Sequence, residues 1–281
     1  MKKILKYVFI LISLFLVSCT DVIDVELQTG PPRLVIEASL NWEKGTVGNN
    51  QMIKLSISTP YFDSTDSEEV IGASVKIINE NDGTEFVFSD QNNGLYTTSS
   101  FIPELHQIYI LEINYLGETF IAKESLIPVT NISNITQSTE NGFIDDVIGV
   151  SVSFIDPADK DNYYLVKFQE QDDLFPTLYD VDDEFTNGNE MTITYEKITD
   201  EETGEKELEP GDVLDIELYG ISKNYYNYIR LLISQNESSG SPFSSIPAPL
   251  KGNCVNLLNP ENYAYGYFRL TQVDRTRYSI Q

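Results

Sequence analysis

The chemistry that the sequence indicates most clearly is at Cys19. This cysteine ends the run Leu16-Val17-Ser18-Cys19, which follows a leader with three lysines and an apolar stretch over residues 7–17. A basic start, a short apolar stretch and a small residue before the cleavage point are the features of a secretory signal peptide. A cysteine directly after that point is typical of a bacterial lipobox, and a chance cysteine behind an ordinary signal peptide is the alternative. We predict a signal peptide over residues 1–18 and a lipid modification of Cys19.

This modification would attach the protein to a membrane without a membrane-spanning helix. The apolar stretch of the leader is shorter than the roughly 20 residues that a spanning helix needs, whereas two or more acyl chains, such as palmitate, anchor a protein firmly. Residues 19–33 would form the lipidated cysteine and a tether that ends at Gly30-Pro31-Pro32. Three acids lie in Thr20–Glu26, and in some bacteria such a stretch directs lipoproteins outward. We expect a lipid-anchored protein of the outer membrane that faces the cell exterior.

A second group of candidate residues is the acidic turn with Asp156, Asp159 and Asp161. Their carboxylate oxygens could bind calcium, which prefers oxygen ligands. The turn lacks the ligand order of a known calcium loop, so a solvated turn in a very acidic chain is the favoured alternative. The four acids between residues 180 and 184 could likewise bind calcium or form a solvated turn, and the solvated turn is again the favoured interpretation.

A third group of candidates is the tyrosine set Tyr263, Tyr265 and Tyr267, which alternate along one predicted strand and would share one face of it. Exposed tyrosine rings can stack on sugars or pack against peptide partners. Tyrosines also pair across strands inside β proteins, which is the more common use. Trp42 is the only tryptophan and gives little support for a sugar-binding platform.

Residues for catalysis are scarce. His106 is the only histidine, so a zinc site with several histidines is impossible, and any Ser-His-acid triad would have to use this one residue. If Cys19 is acylated, Cys254 has no partner for a disulfide, and a buried small hydrophobic side chain is its expected role. The 44 acids do not single out a pair for glycoside hydrolysis. We expect neither an enzyme nor a cofactor.

The charge of the chain restricts its partners. Its 18 basic and 44 acidic residues give a formal net charge of −26. Such a field repels phosphate backbones, so we expect no nucleic-acid binding. Because 41% of the residues are hydrophobic and 11% are aromatic, the chain can nevertheless build a core.

The pattern of apolar residues predicts a mainly β fold. Residues 34–128 contain seven short strands with alternating apolar positions, such as Ile53, Leu55 and Ile57, and turns at regular intervals. This spacing is typical of an immunoglobulin-like β-sandwich. Residues 129–140 read as a linker, and residues 141–281 as a second β-rich domain. This second domain would contain one amphipathic helix near residues 222–237, after a Ser222 cap.

Several short motifs in a fixed order carry a resemblance to a known family. They are Leu34-Val35-Ile36-Glu37, Gly72-Ala73-Ser74-Val75, Gly94-Leu95-Tyr96, Phe154-Ile155-Asp156-Pro157 with Asn162-Tyr163-Tyr164, Gly211-Asp212 and Gly266-Tyr267-Phe268. Together with the lipobox, this set resembles an uncharacterised domain-of-unknown-function family of Bacteroidota outer-membrane lipoproteins. Members of that family are often encoded beside TonB-dependent receptors, which implies a role as an accessory protein of such a receptor. The resemblance brings no catalytic residues.

Two functions are therefore expected. The first is a non-enzymatic surface lipoprotein that contacts the barrel of a TonB-dependent transporter or captures its ligand. The second is a surface adhesin or glycan-binding module that works without a transporter. The sandwich-like first half and the tyrosine set support the second function, whereas the lipobox, the two β-rich halves, the single histidine and the family resemblance support the first.

Overall fold

A computed structural model of the chain describes residues 30–60, 67–140, 142, 144, 146–171, 173–199, 206–238 and 250–281. The described residues are mainly β, with fifteen strands and one helix, α1 (Lys223–Ser238). The strands are β1 Leu34–Glu43, β2 Gln51–Ile57, β3 Ser74–Asn79, β4 Glu85–Asp90, β5 Leu95–Thr98, β6 Ile108–Tyr115, β7 Glu118–Ile127, β8 Ile132–Ser138, β9 Gly149–Ile155, β10 Tyr163–Glu170, β11 Thr177–Asp182, β12 Glu190–Glu196, β13 Val213–Ile221, β14 Val255–Asn256 and β15 Tyr265–Ser279.

Eight strands form a closed, barrel-like ring in the order β15-β1-β2-β5-β4-β3-β6-β7, in which β7 returns to β15. The sequence predicts an open sandwich for the strands between residues 34 and 128, and the structure differs because its sheets are joined at both edges. At one edge, β4 pairs with β3 over residues 85–88 and with β5 at Ser89 and Asp90. At the other edge, β7 pairs with β6 and also, at Leu126 and Ile127, with β15.

The interior of the ring is apolar because alternate residues of every strand point inward. In β1, Leu34, Ile36, Ala38 and Leu40 are buried, while the residues between them lie at or near the surface. Buried aromatic rings from β4, β5, β6 and β15 fill the middle. The single interior core holds the ring together, because each strand buries one face against it.

Strand β15 belongs to two sheets. Its residues 265–273 pair in parallel with β1, and residues 273–279 pair antiparallel with β13. At Gly266, which has φ 89°, a Cβ atom would lie 2.1 Å from the Ile36 carbonyl oxygen, so only glycine fits beside β1. The last strand of the chain therefore completes the N-terminal ring. The sequence analysis places a linker at residues 129–140 and assigns β15 to the second domain, so it does not predict that β15 pairs with β1.

Strands β8 to β13 form a layered region on β15, whereas β14 pairs with β7 of the ring. Strands β11-β10-β13-β15 make one sheet, and β12-β9-β8 make a second, three-stranded sheet. Apolar side chains from β9, β10, β12 and β13 form a core between these two sheets. The predicted linker 129–140 contains β8, whose Ile132 and Ile135 pack against this core, so that segment is a strand rather than a free connection.

Helix α1 covers the opposite face of the first sheet, close to its predicted position. The hydroxyl of Ser222 accepts a hydrogen bond of 3.2 Å from the Tyr225 N–H, as expected for an N-cap. Tyr225, Tyr226 and Ile229 pack on buried residues of β10, β13 and β15. Among the described residues, no helix is both long and apolar enough to span a membrane.

Candidate functional site

The three predicted tyrosines do not form one surface. Tyr267 is buried beneath α1, where its ring centroid lies 5.0 Å from that of Tyr225 and 4.8 Å from that of Tyr228. Tyr263 and Tyr265 are half-buried and contact each other at the start of β15, with ring centroids 5.7 Å apart. The alternation continues through Gly266, because Ala264 and Phe268 both belong to the core of the ring, and the tyrosines are separated because α1 covers only Tyr267.

Tyr263 lies beside the point where the chain enters the ring. The guanidinium carbon of Arg33 lies 3.9 Å from the Tyr263 ring centroid, and the Lys251 ammonium lies 4.3 Å from it. Arg33 also donates hydrogen bonds to the carbonyl oxygens of Glu261 (2.8 Å) and Tyr263 (3.2 Å). Two cations therefore contact one aromatic ring, in a chain with few basic residues.

Tyr267 takes part in a buried polar junction that the sequence does not reveal. Its hydroxyl donates to the carboxylate of Glu124 in β7 (3.2 Å), which also accepts from the Ser222 hydroxyl (2.9 Å) and the Ser125 N–H (3.0 Å). Burial raises the pKa of Glu124, and these hydrogen bonds oppose that shift. The junction joins the ring, the start of α1 and β15, which is a structural role.

The predicted metal ligands are not brought together. Asp156 is buried, and its carboxylate accepts hydrogen bonds from the Tyr164 hydroxyl (2.6 Å) and the Gly188 N–H (2.9 Å). Asp159 and Asp161 are exposed. In the part of the chain that the structure describes, no three His, Cys, Asp or Glu side chains are grouped so that they could hold a metal ion. Asp156 closes its own turn, and calcium binding stays a prediction.

The other residues considered for catalysis are poorly placed for it. Cys254 is buried, and burial raises the pKa of its thiol to about 12, so the thiolate nucleophile is scarce at neutral pH. His106 is exposed on a turn, where it has a positive φ of 65°.

The feature best suited to binding is a cleft of about 640 Å³ where β4 and β5 diverge. Within the described chain, residues 85–88 of β4 pair only with β3, and the pairing of β4 with β5 ends at Ser89 and Thr97. The two strands separate beyond that point. The cleft between them is lined by residues 50–52, 87, 89, 91 and 97–100.

None of these lining residues carries a formal charge. Eight of the ten are serine, threonine, asparagine or glutamine, and the others are Met52 and Val87. Hydrogen bonds within the wall hold it in shape, because the Gln91 amide donates to the Thr97 hydroxyl and the Thr98 hydroxyl contacts that of Ser100. Such a surface offers neutral donors and acceptors with a small apolar contact, which suits a neutral ligand rich in hydroxyl groups.

The cleft lies at the opposite end of the first hairpin from Arg33. The amide of Gln51 donates to the Asn41 carbonyl (3.1 Å), near the end of β1. Arg33 and Ser58 exchange hydrogen bonds of 3.0 and 2.8 Å just before β1 begins. The tyrosines at the start of β15 and the cleft are therefore separated by the length of β1. The cleft could not be predicted from the sequence, because the residue types that line it are common in loops.

Comparisons with known proteins give the family but not a function. A search of curated proteins found no match. Among solved structures, a cytokine receptor complex is 10% identical, with 88% of this chain and 95% of that chain covered and a TM-score of 0.27. A two-domain fibronectin type-III segment of chicken tenascin is 11% identical, with 60% and 83% covered and a TM-score of 0.21. A DUF4785 family protein from Legionella pneumophila is 13% identical, with 66% and 52% covered and a TM-score of 0.26.

The family is defined by a profile match along nearly the whole chain. The profile described as "Domain of unknown function (DUF4249)" matches residues 20–277. This match includes every strand of the ring and of the layered region, apart from the last two residues of β15. The chain therefore belongs to the DUF4249 family, a domain of unknown function.

Proposed function

We propose that this chain is a non-enzymatic lipoprotein of the outer membrane, facing the cell exterior, which captures a ligand for a TonB-dependent transporter and contacts its barrel. The observation that carries this proposal is the uncharged cleft between β4 and β5, in a chain with a formal charge of −26. The anchor is the predicted lipid at Cys19, which lies outside the described residues.

The charge distribution favours a neutral ligand. Acidic residues elsewhere on the surface repel anions, whereas the walls of the cleft offer only hydroxyl, amide and apolar groups. The buried thiol of Cys254 and the isolated His106 also favour binding over catalysis.

A stand-alone adhesin or glycan-binding module is the second candidate. Its support is the hydroxyl- and amide-rich lining of the cleft, which matches the hydrogen-bonding groups of a sugar. The two candidates share a binding site and differ in whether a transporter is present.

Extraction of native membranes with a mild detergent, followed by capture of the full chain with an antibody, separates these candidates. We expect a TonB-dependent transporter to be captured with the chain, and mass spectrometry to find acyl chains on Cys19. Recovery of the lipoprotein alone would favour the adhesin. A bare Cys19 thiol in protein released to the medium would contradict both candidates.

A charge placed in the cleft tests the binding site itself. Val87 is 61% exposed in the cleft, and Ile155, at the end of β9, is 58% exposed outside it. On an array of neutral glycans, Val87→Glu should weaken binding by about ten-fold or more, because a bound ligand would desolvate the new carboxylate. The matched variant Ile155→Glu should bind as the wild type does. If Tyr265→Ala lost binding while Val87→Glu bound fully, the cleft would not be the binding site, and the ligand would bind at the tyrosines instead.

A further inference from the structure

One end of the ring displays apolar side chains next to the point where the tether joins it. Leu116 is 85% exposed in the two-residue turn between β6 and β7, and Leu257 and Leu258 are 53% and 69% exposed after β14. The Leu257 N–H donates to the carbonyl of Thr119 (2.9 Å), three residues after Leu116. We call these three leucines, with Val255, Tyr263, Arg33 and Lys251, the anchor-proximal surface.

The loop that carries two of these leucines is well ordered. The buried side-chain oxygen of Asn256 accepts hydrogen bonds from the N–H groups of Leu258 (3.1 Å) and Asn259 (3.0 Å), and its amide donates to the Asn262 carbonyl (3.1 Å). This arrangement fixes the backbone while the leucine side chains project into solvent. Burial of the leucines in the core is therefore not what organises the loop.

Leu116 also occupies a backbone position that suits a different residue. Its φ is +49°, and it is followed by Gly117 at +80°. Asparagine or glycine is usual at the first position of such a hairpin turn, because other side chains rarely adopt a positive φ. A large apolar residue is thus held at an exposed tip in an unfavourable conformation, which is a pattern found at functional contacts.

Exposure alone does not single out this surface. Leu174 and Phe185 are 84% and 90% exposed in the layered region. The anchor-proximal surface differs because it includes Arg33, the residue directly before β1, whose guanidinium contacts the Tyr263 ring and the Glu261 carbonyl oxygen. Only thirteen residues lie between Cys19 and Arg33, so a fully extended tether of fourteen Cα–Cα steps spans at most about 50 Å.

We propose that the anchor-proximal surface rests on the lipid bilayer, with the leucines inserted among the upper acyl chains and Tyr263 at the level of the headgroups. This inference rests on the lipid anchor in the proposed function. It adds a second, oriented contact that would hold the cleft away from the membrane, at the far end of β1.

The polar groups of the surface agree with a lipid partner. Tyrosine rings and basic side chains are common at the interface between acyl chains and water, where the cations approach lipid phosphates. Arg33 and Lys251 both contact the Tyr263 ring. Two acids also lie here, and the Glu118 carboxylate accepts a hydrogen bond of 2.7 Å from the Asn262 amide, while Glu261 is exposed.

The test attaches the mature chain to vesicles in a way that does not depend on natural acylation. A hexahistidine tag in place of Cys19 would bind phosphatidylcholine vesicles that contain a nickel-chelating lipid. Leu258→Trp and, separately, Leu257→Trp report contact with acyl chains through fluorescence quenching by brominated phosphatidylcholine. Leu174→Trp is the matched exposed control, and the parent chain with Trp42 alone gives the baseline.

We expect the tryptophans at positions 258 and 257 to be quenched by brominated lipid about two-fold more than the tryptophan at position 174, since an interfacial segment inserts some 5–10 Å. Equal quenching at all three positions would overturn the inference. The inference would also be wrong if the tryptophans at positions 257 and 258 became shielded from solvent only after a transporter barrel is added. In that case the surface would contact a protein rather than lipid. Mass spectrometry of Cys19 in native membranes tests the anchor separately, so failure of either claim can be recognised.

Discussion

At the Arg33 end of the ring, leucine side chains project from two tight loops, whereas at the Gln51 end hydroxyl and amide side chains line an open cleft. Both ends are built from the same strands and enclose the same apolar core. The difference comes from the loops and the strand ends, where side chains are free of the core. The two ends therefore suit different partners, a lipid phase at one and a neutral polar ligand at the other.

The largest expected effect follows from removal of the anchor. In Cys19→Ala, the membrane-bound fraction should fall to the background of a soluble protein, because the few exposed leucines cannot replace two or more acyl chains. Fractionation of cells expressing each form would measure the change. If the variant stays in the membrane fraction, the leucine end binds much more strongly than we propose.

A second effect concerns the junction that holds the ring, α1 and β15 together. Glu124→Ala would leave the buried Tyr267 hydroxyl and the half-buried Ser222 hydroxyl without their acceptor. We expect the free energy of unfolding to fall by about 2 kcal/mol, as is common for buried polar groups that lose a partner. Denaturant titration would measure it. A change within the error of the titration would show that water replaces the carboxylate, and that the junction contributes little to holding α1 against the ring.

The pH dependence of the same junction has a defined sign. Burial raises the pKa of Glu124 above its ordinary value of 4.5, so its protonated form is favoured in the folded state. Its contribution to stability is complete below that ordinary value and is lost as the pH rises through the raised pKa. The stability of the wild type relative to Glu124→Gln should thus decrease as the pH rises from about 4. An increase over that range would mean that the hydrogen bonds outweigh burial.

The smallest effect should be an increase in stability. Leu116→Asn places a residue that tolerates positive φ at the turn between β6 and β7, and should raise the free energy of unfolding by about 0.5–1 kcal/mol. The same variant should weaken contact with vesicles, because it removes an exposed apolar side chain. Thermal unfolding and vesicle quenching measure the two changes. A loss of stability would show that Leu116 packs against the ring.

Local patterns in the sequence predicted the elements of the fold better than their connections. The alternation of Ile53, Leu55 and Ile57 was correctly interpreted as a strand, and the spacing of apolar residues placed α1 within one residue of its observed bounds. The closed ring cannot be predicted from these patterns, because β15 pairs with β1 across some 230 residues. The sequence of neither strand indicates which strand it pairs with. Strand β8 was missed because its outward residues are as polar as a linker.

A candidate site could be predicted from the sequence only where a residue type in its sequence context has a single common function. Cys19 stands out because the leader and the cysteine occur together, whereas the three tyrosines were grouped by spacing alone. Helix α1 then separates Tyr267 from the other two by covering it, and this cover is not visible in the alternation. Glu124 is one of 44 acids, and its burial, which it shares with Asp156 and Asp183, is visible only in the structure.

The parallel pairing of β1 and β15 has a mechanical consequence. A lipid tether would pull on the first residue of β1, while a load on the layered region would pull on the far half of β15. Forces applied in this way shear two parallel strands past each other, and all nine residue pairs from Val35–Tyr265 to Glu43–Val273 resist together. These nine pairs would thus let the fold bear tension between a lipid tether and a partner bound to the layered region.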